Sequence, residues 1–230
     1  MYSNSERLIV FDADGTIVDA YRVIVETFTR HGMELGDLER FQKRHNLFKY
    51  LGGIKDFPFN LRKQLGRRSR KNILATLTDV YRDEARLYPG MAHLIRTLVA
   101  TPGIRVGLVT RNITNEPLLT IRKVLARHDI DLDAFDFALH VPLREEKTLA
   151  LRSARKRFDI NPARSYASGD EHKDFTSAIE TGMHPFIGSY GFEDYMRLTK
   201  KFKVPEDVIS RTPEELSTRV LHALDLEPTE

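Results

Sequence analysis

From Pro89 onward the chain alternates short apolar runs with stretches of helical periodicity, and this order restricts the available folds more than any other feature. The spacing predicts helices over Met91–Val99, Glu116–Arg127, Lys147–Phe158, Phe175–Thr181 and Pro213–Leu224. Between them it predicts strands at Arg105–Val109, Phe135–Val141, Ser165–Ala167, Pro185–Ile187 and Val208–Ile209. Leu8-Ile9-Val10-Phe11 reads as one more strand, apolar without alternation as expected of a strand covered on both faces. Strands alternating with helices imply a parallel sheet with helices on each side, an α/β doubly wound fold.

The stretch between the first strand and Pro89 breaks this alternation. Asp19–His31 has helical spacing through Val23, Ile24, Thr27 and Phe28, with Asp19 as N-cap and Gly32 as stop. Residues 34–88 are charge-rich and helical in character, interrupted at Gly52-Gly53 and Pro58. The expected organisation is therefore a core built from 1–18 and 89–230, with 19–88 inserted as a helical cap.

Composition narrows the chemistry. There is no cysteine, so disulfides, thiol catalysis and Cys-ligated metal are excluded. No apolar run approaches a membrane span, and Met1–Arg7 lacks the order of a signal peptide, so no membrane partner and a cytoplasmic location are expected. The eight histidines are scattered, and none is assigned a metal role.

In open α/β sheets, ligands sit at the carboxyl ends of strands. Asp12 and Asp14, Thr110, Lys147, and Asp170 with Asp174 all fall just after predicted strands or at the following helix starts. Four converging carboxylates repel unless a cation lies among them, and an all-oxygen donor set suits Mg2+. A carboxylate can attack phosphorus, and a second carboxyl two residues on can protonate the leaving oxygen and then activate water. Thr110 offers a hydroxyl and backbone donors, and Lys147 a fixed positive charge.

Asp12-Ala13-Asp14-Gly15-Thr16 resembles the first motif of the haloacid dehalogenase superfamily, DxDGT. Val109-Thr110-Arg111-Asn112 is similar to the second motif, Lys147 to the third, and Gly169–Asp174 to the fourth, GDxxxD. The resemblance covers most of the chain, with 19–88 where that family places its helical cap, and is nearest to the phosphoglycolate-phosphatase-like and phosphonatase-like branch. It implies Asp12 as nucleophile, Asp14 as general acid/base, and Thr110, Arg111, Asn112 and Lys147 as phosphoryl or substrate binders. It implies Asp12, the Asp14 backbone carbonyl, Asp170 and Asp174 as magnesium site. True dehalogenases lack an acid two after the nucleophile, so Asp14 argues for phosphoryl transfer. Phosphonate cleavage through a cap lysine (Lys43, Lys49 or Lys55) is an alternative, although phosphonatases typically carry Ala at the position of Asp14. A catalytically silent binding module is another.

Plainer readings stand beside these. Asp12 and Asp14 suit a turn, Thr110 a helix cap, Asp174 a solvated first-turn acid, and Arg111 and Asn112 a loop surface. Arg144 lies near Lys147 and could replace it. The segment Arg40–Lys71 is strongly basic against a single acid, Asp56. A solvated cap surface is favoured, over selection of a polyanionic substrate or nucleic-acid binding through Phe41, Phe48, Tyr50, Phe57 and Phe59. The expected partner is a small acidic phosphorylated substrate, with nucleic acid disfavoured and the chain a monomer or homodimer.

Overall fold

The computed structural model describes residues 2–3, 5–32 and 70–227. Among these, the strands are β1 (Arg7–Phe11), β2 (Ile104–Thr110), β3 (Phe137–His140), β4 (Ser165–Gly169), β5 (His184–Gly188) and β6 (Ile209–Ser210). The helices are α1 (Ala20–Arg30), α2 (Arg70–Glu84), α3 (Met91–Ala100), α4 (Pro117–Ala126), α5 (Thr148–Arg157), α6 (His172–Glu180) and α7 (Pro213–Ala223). All strand pairs are parallel, in the order β3-β2-β1-β4-β5-β6. No helix among the described residues is long and apolar enough to cross a membrane.

The centre of the sheet follows from the composition of β1. Ile9 and Phe11 point into a cluster with α1, α2, α3, α4 and α7. Leu8 and Val10 point the other way, against Val109, Leu151, Ala154 and Ala178. Successive side chains leave a strand on opposite faces, so a strand buried on both must be apolar throughout. A third cluster, Ile187, Leu198, Val204 and Ile209, closes the β5–β6 end.

Local signals fix the helix ends. Asp19 Oδ1 accepts from Arg22 N at 3.1 Å, and Gly32 takes φ +69° after the last turn of α1. Thr212 Oγ1 accepts from Glu215 N at 3.2 Å, with Pro213 at the first helical position of α7. Several element ends differ by one to three residues from the spacing-based reading; β3 starts at Phe137, two residues later, behind a 3-10 turn at Leu132–Ala134. β4 runs on to Gly169, β6 starts one residue later behind a 3-10 turn at Glu206–Val208, and α6 begins at His172 rather than Phe175. The early start of α6 comes from a capping box between Glu171 and Asp174, which extends the helix to the end of the preceding loop.

α1 and α2 lie at the two ends of the segment expected to be the cap. They pack against each other, and the buried faces of both, Val23, Ile24 and Phe28 on one and Ile73, Leu77 and Tyr81 on the other, join the cluster under β1. The phenylalanines, the candidate cap lysines and the basic residues from Arg40 to Arg68 lie outside the described residues.

Candidate active site

The strand order reverses beside β1: β2 lies on one side and β4 on the other. A crevice opens at the carboxyl ends of the strands at such a point. Asp12 follows β1 there and Asp170 follows β4, and the register pairs Phe11 with Ser168. The two carboxylates, 158 residues apart in sequence, thereby become neighbours. Asp174 comes from the third position of α6, while Asp170 sits in the turn before it. Four residues apart, they would share a face if both were helical, but Asp170 precedes α6, and the capping geometry brings them together instead. Asp174 Oδ2 accepts from the backbone N–H of Asp170 at 3.3 Å and of Glu171 at 3.0 Å, which turns its other oxygen toward the site.

Asp12, Asp170 and Asp174 each offer an oxygen within 4.8 Å of the other two. Lys147 is 5% exposed and reaches Asp12 Oδ2 at 2.5 Å and Asp174 Oδ1 at 2.8 Å. Lys147, rather than Arg144, is thus the cation in contact with Asp12. Asp12 Oδ1 accepts from Ala13 N at 2.7 Å. Asp170 is fully buried, with Oδ1 taking the Thr16 hydroxyl at 3.1 Å and Oδ2 the Phe192 N–H at 2.6 Å. Gly15, at φ +82°, is required here, because any Cβ would overlap the Asp170 carboxylate.

The electrostatics follow from burial. Desolvation lifts the Asp12 carboxyl to about 7, the pull of Lys147 being outweighed with help from the Asp174 and Asp14 charges. Burial, then the Asp12 and Asp174 charges, hold Asp170 well above the usual carboxylate range. Burial pulls Lys147 down, but Asp12 and Asp174 more than restore its charge. One ammonium therefore faces several desolvated carboxylates. An all-oxygen donor set of this kind, offered by Asp12, Asp170 and Asp174, fits a hard divalent cation such as Mg2+.

Asp14 stands apart from that group. Its Oδ1 accepts from the Tyr81 hydroxyl at 2.6 Å, and both its oxygens accept from Asn112 Nδ2 at 3.1 Å. The Asn112 amide is held by Thr114, whose N–H and hydroxyl both donate to Asn112 Oδ1, at 2.9 and 2.5 Å. The Asn112 backbone carbonyl accepts from His140 Nε2 at 3.1 Å. Burial raises the Asp14 pKa, and the Tyr81 and Asn112 hydrogen bonds pull against it. Thr110 is buried at the end of β2, where its hydroxyl accepts from Asn112 N at 3.1 Å. Arg111 pairs with Glu171 at 2.7 Å; burial works against its charge, but Glu171 and the nearby aspartates sustain it. The structure thus gathers all eight expected residues at one end of the sheet, with Asn112 directed at Asp14.

Two contributors have no motif. Tyr81 sits at core spacing in α2, where nothing marks its hydroxyl as reaching a carboxylate. The loop after β5 supplies Tyr190, whose hydroxyl donates to the Thr16 carbonyl at 3.0 Å, and Phe192. Tyr-Gly at a strand's carboxyl end, where ligands gather, was the available signal.

Fold and site together define a parallel α/β protein with an acidic crevice at its switch point. A family model described as haloacid dehalogenase-like hydrolase matches residues 6–182, and the chain belongs to that family. Solved structures share the fold. CbbY from Rhodobacter sphaeroides, in complex with phosphate, is 21% identical with a TM-score of 0.64, over 96% of this chain and 100% of that one. A haloacid dehalogenase-like hydrolase from Streptococcus pneumoniae is 20% identical with a TM-score of 0.59, over 95% and 100%. A protein described as a predicted phosphoglycolate phosphatase from Haemophilus somnus is 18% identical with a TM-score of 0.63, over 94% and 97%. No curated protein matches the sequence.

Proposed function

We propose that the chain is a Mg2+-dependent phosphatase acting on a small phosphate ester through an aspartyl-phosphate on Asp12. The carrying observation is the pair of roles separated in space: Asp12 lies against Lys147 and the acidic group, whereas Asp14, two residues on, is held away from them by Tyr81 and Asn112. Two carboxylates in different environments suit nucleophile and acid/base respectively.

Asp12 attacks phosphorus in line, its carboxylate oxygen forming the new P–O bond as the ester P–O bond breaks. Asp14, whose pKa burial raises against the pull of the Tyr81 and Asn112 hydrogen bonds, gives its proton to the leaving oxygen. The resulting Asp14 carboxylate then takes a proton from water, whose oxygen displaces Asp12 and releases inorganic phosphate. Lys147 screens the Asp12 charge, and Thr110 and the backbone beyond it offer donors to the phosphoryl oxygens. Mg2+, when bound, supplies charge neutralisation that lets an anionic ester approach an anionic nucleophile. A groove of about 380 Å³ is lined by Arg70, Arg111, Asn112, Ile113, His140 and Leu143, and Asn112, which donates to Asp14, lies in its wall.

The family match supports hydrolysis, and Asp14 favours phosphate esters over phosphonates and halides. The test is turnover of a panel of phosphate esters and phosphonates with Mg2+, run beside Asp12→Asn. Wild-type turnover of esters, lost by at least about a thousandfold in Asp12→Asn, is expected. Unchanged turnover in the variant sinks the nucleophile; no turnover on any ester favours a silent binding module.

A further inference from the structure

Glu193 is fully buried, yet it lies outside every catalytic motif. Its Oε2 accepts from the backbone N–H of His172 at 2.6 Å, the first residue of α6. His172 Nδ1 faces both Glu193 oxygens at 2.9 and 3.0 Å, and Arg197 Nε donates to Oε1 at 3.1 Å. The His172 ring stacks flat on Phe202 at 3.5 Å, with the Arg197 guanidinium 5.3 Å from the same ring. A carboxylate removed from water is expensive unless it is paired and hydrogen-bonded, and these contacts supply both.

The position of this carboxylate gives it a consequence. α6 and the turn before it carry Asp170 and Asp174. The loop after β5 carries Phe192, whose N–H holds Asp170 Oδ2 at 2.6 Å, and Gly191, where any Cβ would overlap the Gly15 carbonyl and the Asp170 carboxylate. Glu193 is the next residue in that loop, and it ties the loop to the start of α6. The donor on Asp170 and Asp170 itself are thus held in register by one buried side chain.

We propose that Glu193 is a positioning residue for the metal site: it clamps the loop after β5 to the start of α6 so that the Phe192 N–H fixes the Asp170 carboxylate for cation binding. This rests on the reading of Asp12, Asp170 and Asp174 as a Mg2+ site. Hydrogen bonds that orient ligating carboxylates typically change metal affinity by about 10- to 100-fold when removed.

The experiment is isothermal titration of Mg2+ into the full chain, with melting curves recorded in the absence of metal. Glu193→Gln keeps the shape but loses the charge and one acceptor. Asp194→Asn removes a neighbouring negative charge without touching His172. Expected is a Kd weakened by about 10- to 100-fold in Glu193→Gln and changed by less than about twofold in Asp194→Asn. A Glu193→Gln Kd equal to wild type, with only the melting temperature lowered, makes the residue merely structural and overturns the proposal. Equal weakening in both variants assigns the effect to bulk charge and overturns it as well. If Glu193→Gln does not fold, His172→Ala decides: a several-fold weaker Kd supports the clamp, and an unchanged one removes it. Wild-type protein that takes up no Mg2+ fails the underlying reading, a result distinct from wild-type binding that Glu193→Gln leaves intact.

Discussion

At the scale of single residues, the arrangement around Asp14 carries the sharpest consequence. Tyr81 donates its hydroxyl to Asp14 Oδ1 from inside the core, at 2.6 Å, and pulls against the burial that raises this carboxyl. Tyr81→Phe fills the same volume and removes only that donor. Asp14 then titrates higher, so its protonated form persists to higher pH. The alkaline limb of kcat/KM, which reports the acid in the free enzyme, is expected to move to higher pH. Loss of a hydrogen bond to a charged group, about 1.5–3 kcal/mol, corresponds to roughly 10- to 100-fold in the rate that depends on it. A pH–rate profile of the variant superimposable on wild type would mean that Tyr81 is only packing. Asn112 offers a contrast: its amide is locked by Thr114, so Asn112→Ala removes the donor to both oxygens and should lower kcat more than it raises KM, which steady-state kinetics separates.

At the scale of elements, the sequence was informative where a signal is local. The buried run Leu8–Phe11, the Asp19 and Thr212 caps and the order of strands and helices after Pro89 all depend on neighbours in the chain, and each element appears in the structure within a few residues of its expected place. The site was legible for the same reason, since its residues follow strand ends and the switch point supplies the convergence. What escaped depends on distant partners. Tyr81 has the spacing of a core residue, and only tertiary packing turns its hydroxyl toward Asp14. The spacing puts the start of α6 late, at Phe175, because the side-chain-to-backbone bonds of the Glu171–Asp174 capping box leave no trace in apolar periodicity. Two substitutions separate an element's own stability from the site it carries. Thr212→Ala removes the α7 cap, which makes no contact with the acidic group, and should cost about 1 kcal/mol, or roughly 2–4 °C in melting temperature, with Mg2+ affinity intact. Gly15→Ala forces a side chain into a left-handed backbone and onto Asp170, so it should lower the melting temperature and weaken Mg2+ binding together. Calorimetric melting with Mg2+ titration distinguishes them, and equal Mg2+ affinities in the two variants would contradict the role given to the Gly15 turn.

At the scale of the whole molecule, the acidic group couples folding to pH and metal. Burial lifts Asp12 from 3.8 to about 7, and Asp14 and Asp170 move in the same direction. A carboxyl whose pKa is higher folded than unfolded binds more protons in the native state between those two values. Its contribution to stability is therefore complete below the unfolded pKa and is lost as pH rises through the folded one. Mg2+ opposes this loss, because its ligands must be deprotonated, and its affinity rises over the same window. Metal should therefore stabilise the protein little near pH 5 and strongly near pH 8. At a Mg2+ concentration a hundredfold above Kd the gain is about 2.7 kcal/mol, or about 5–11 °C for a chain of this size. Melting curves with and without Mg2+ at the two pH values measure the difference directly. Asp170→Asn serves as the control, since it removes one ligand and should abolish the increment at both. Equal increments at pH 5 and pH 8 in the wild type would show that the cation binds elsewhere, because only a site made of carboxylates that titrate this high gains its affinity across that interval.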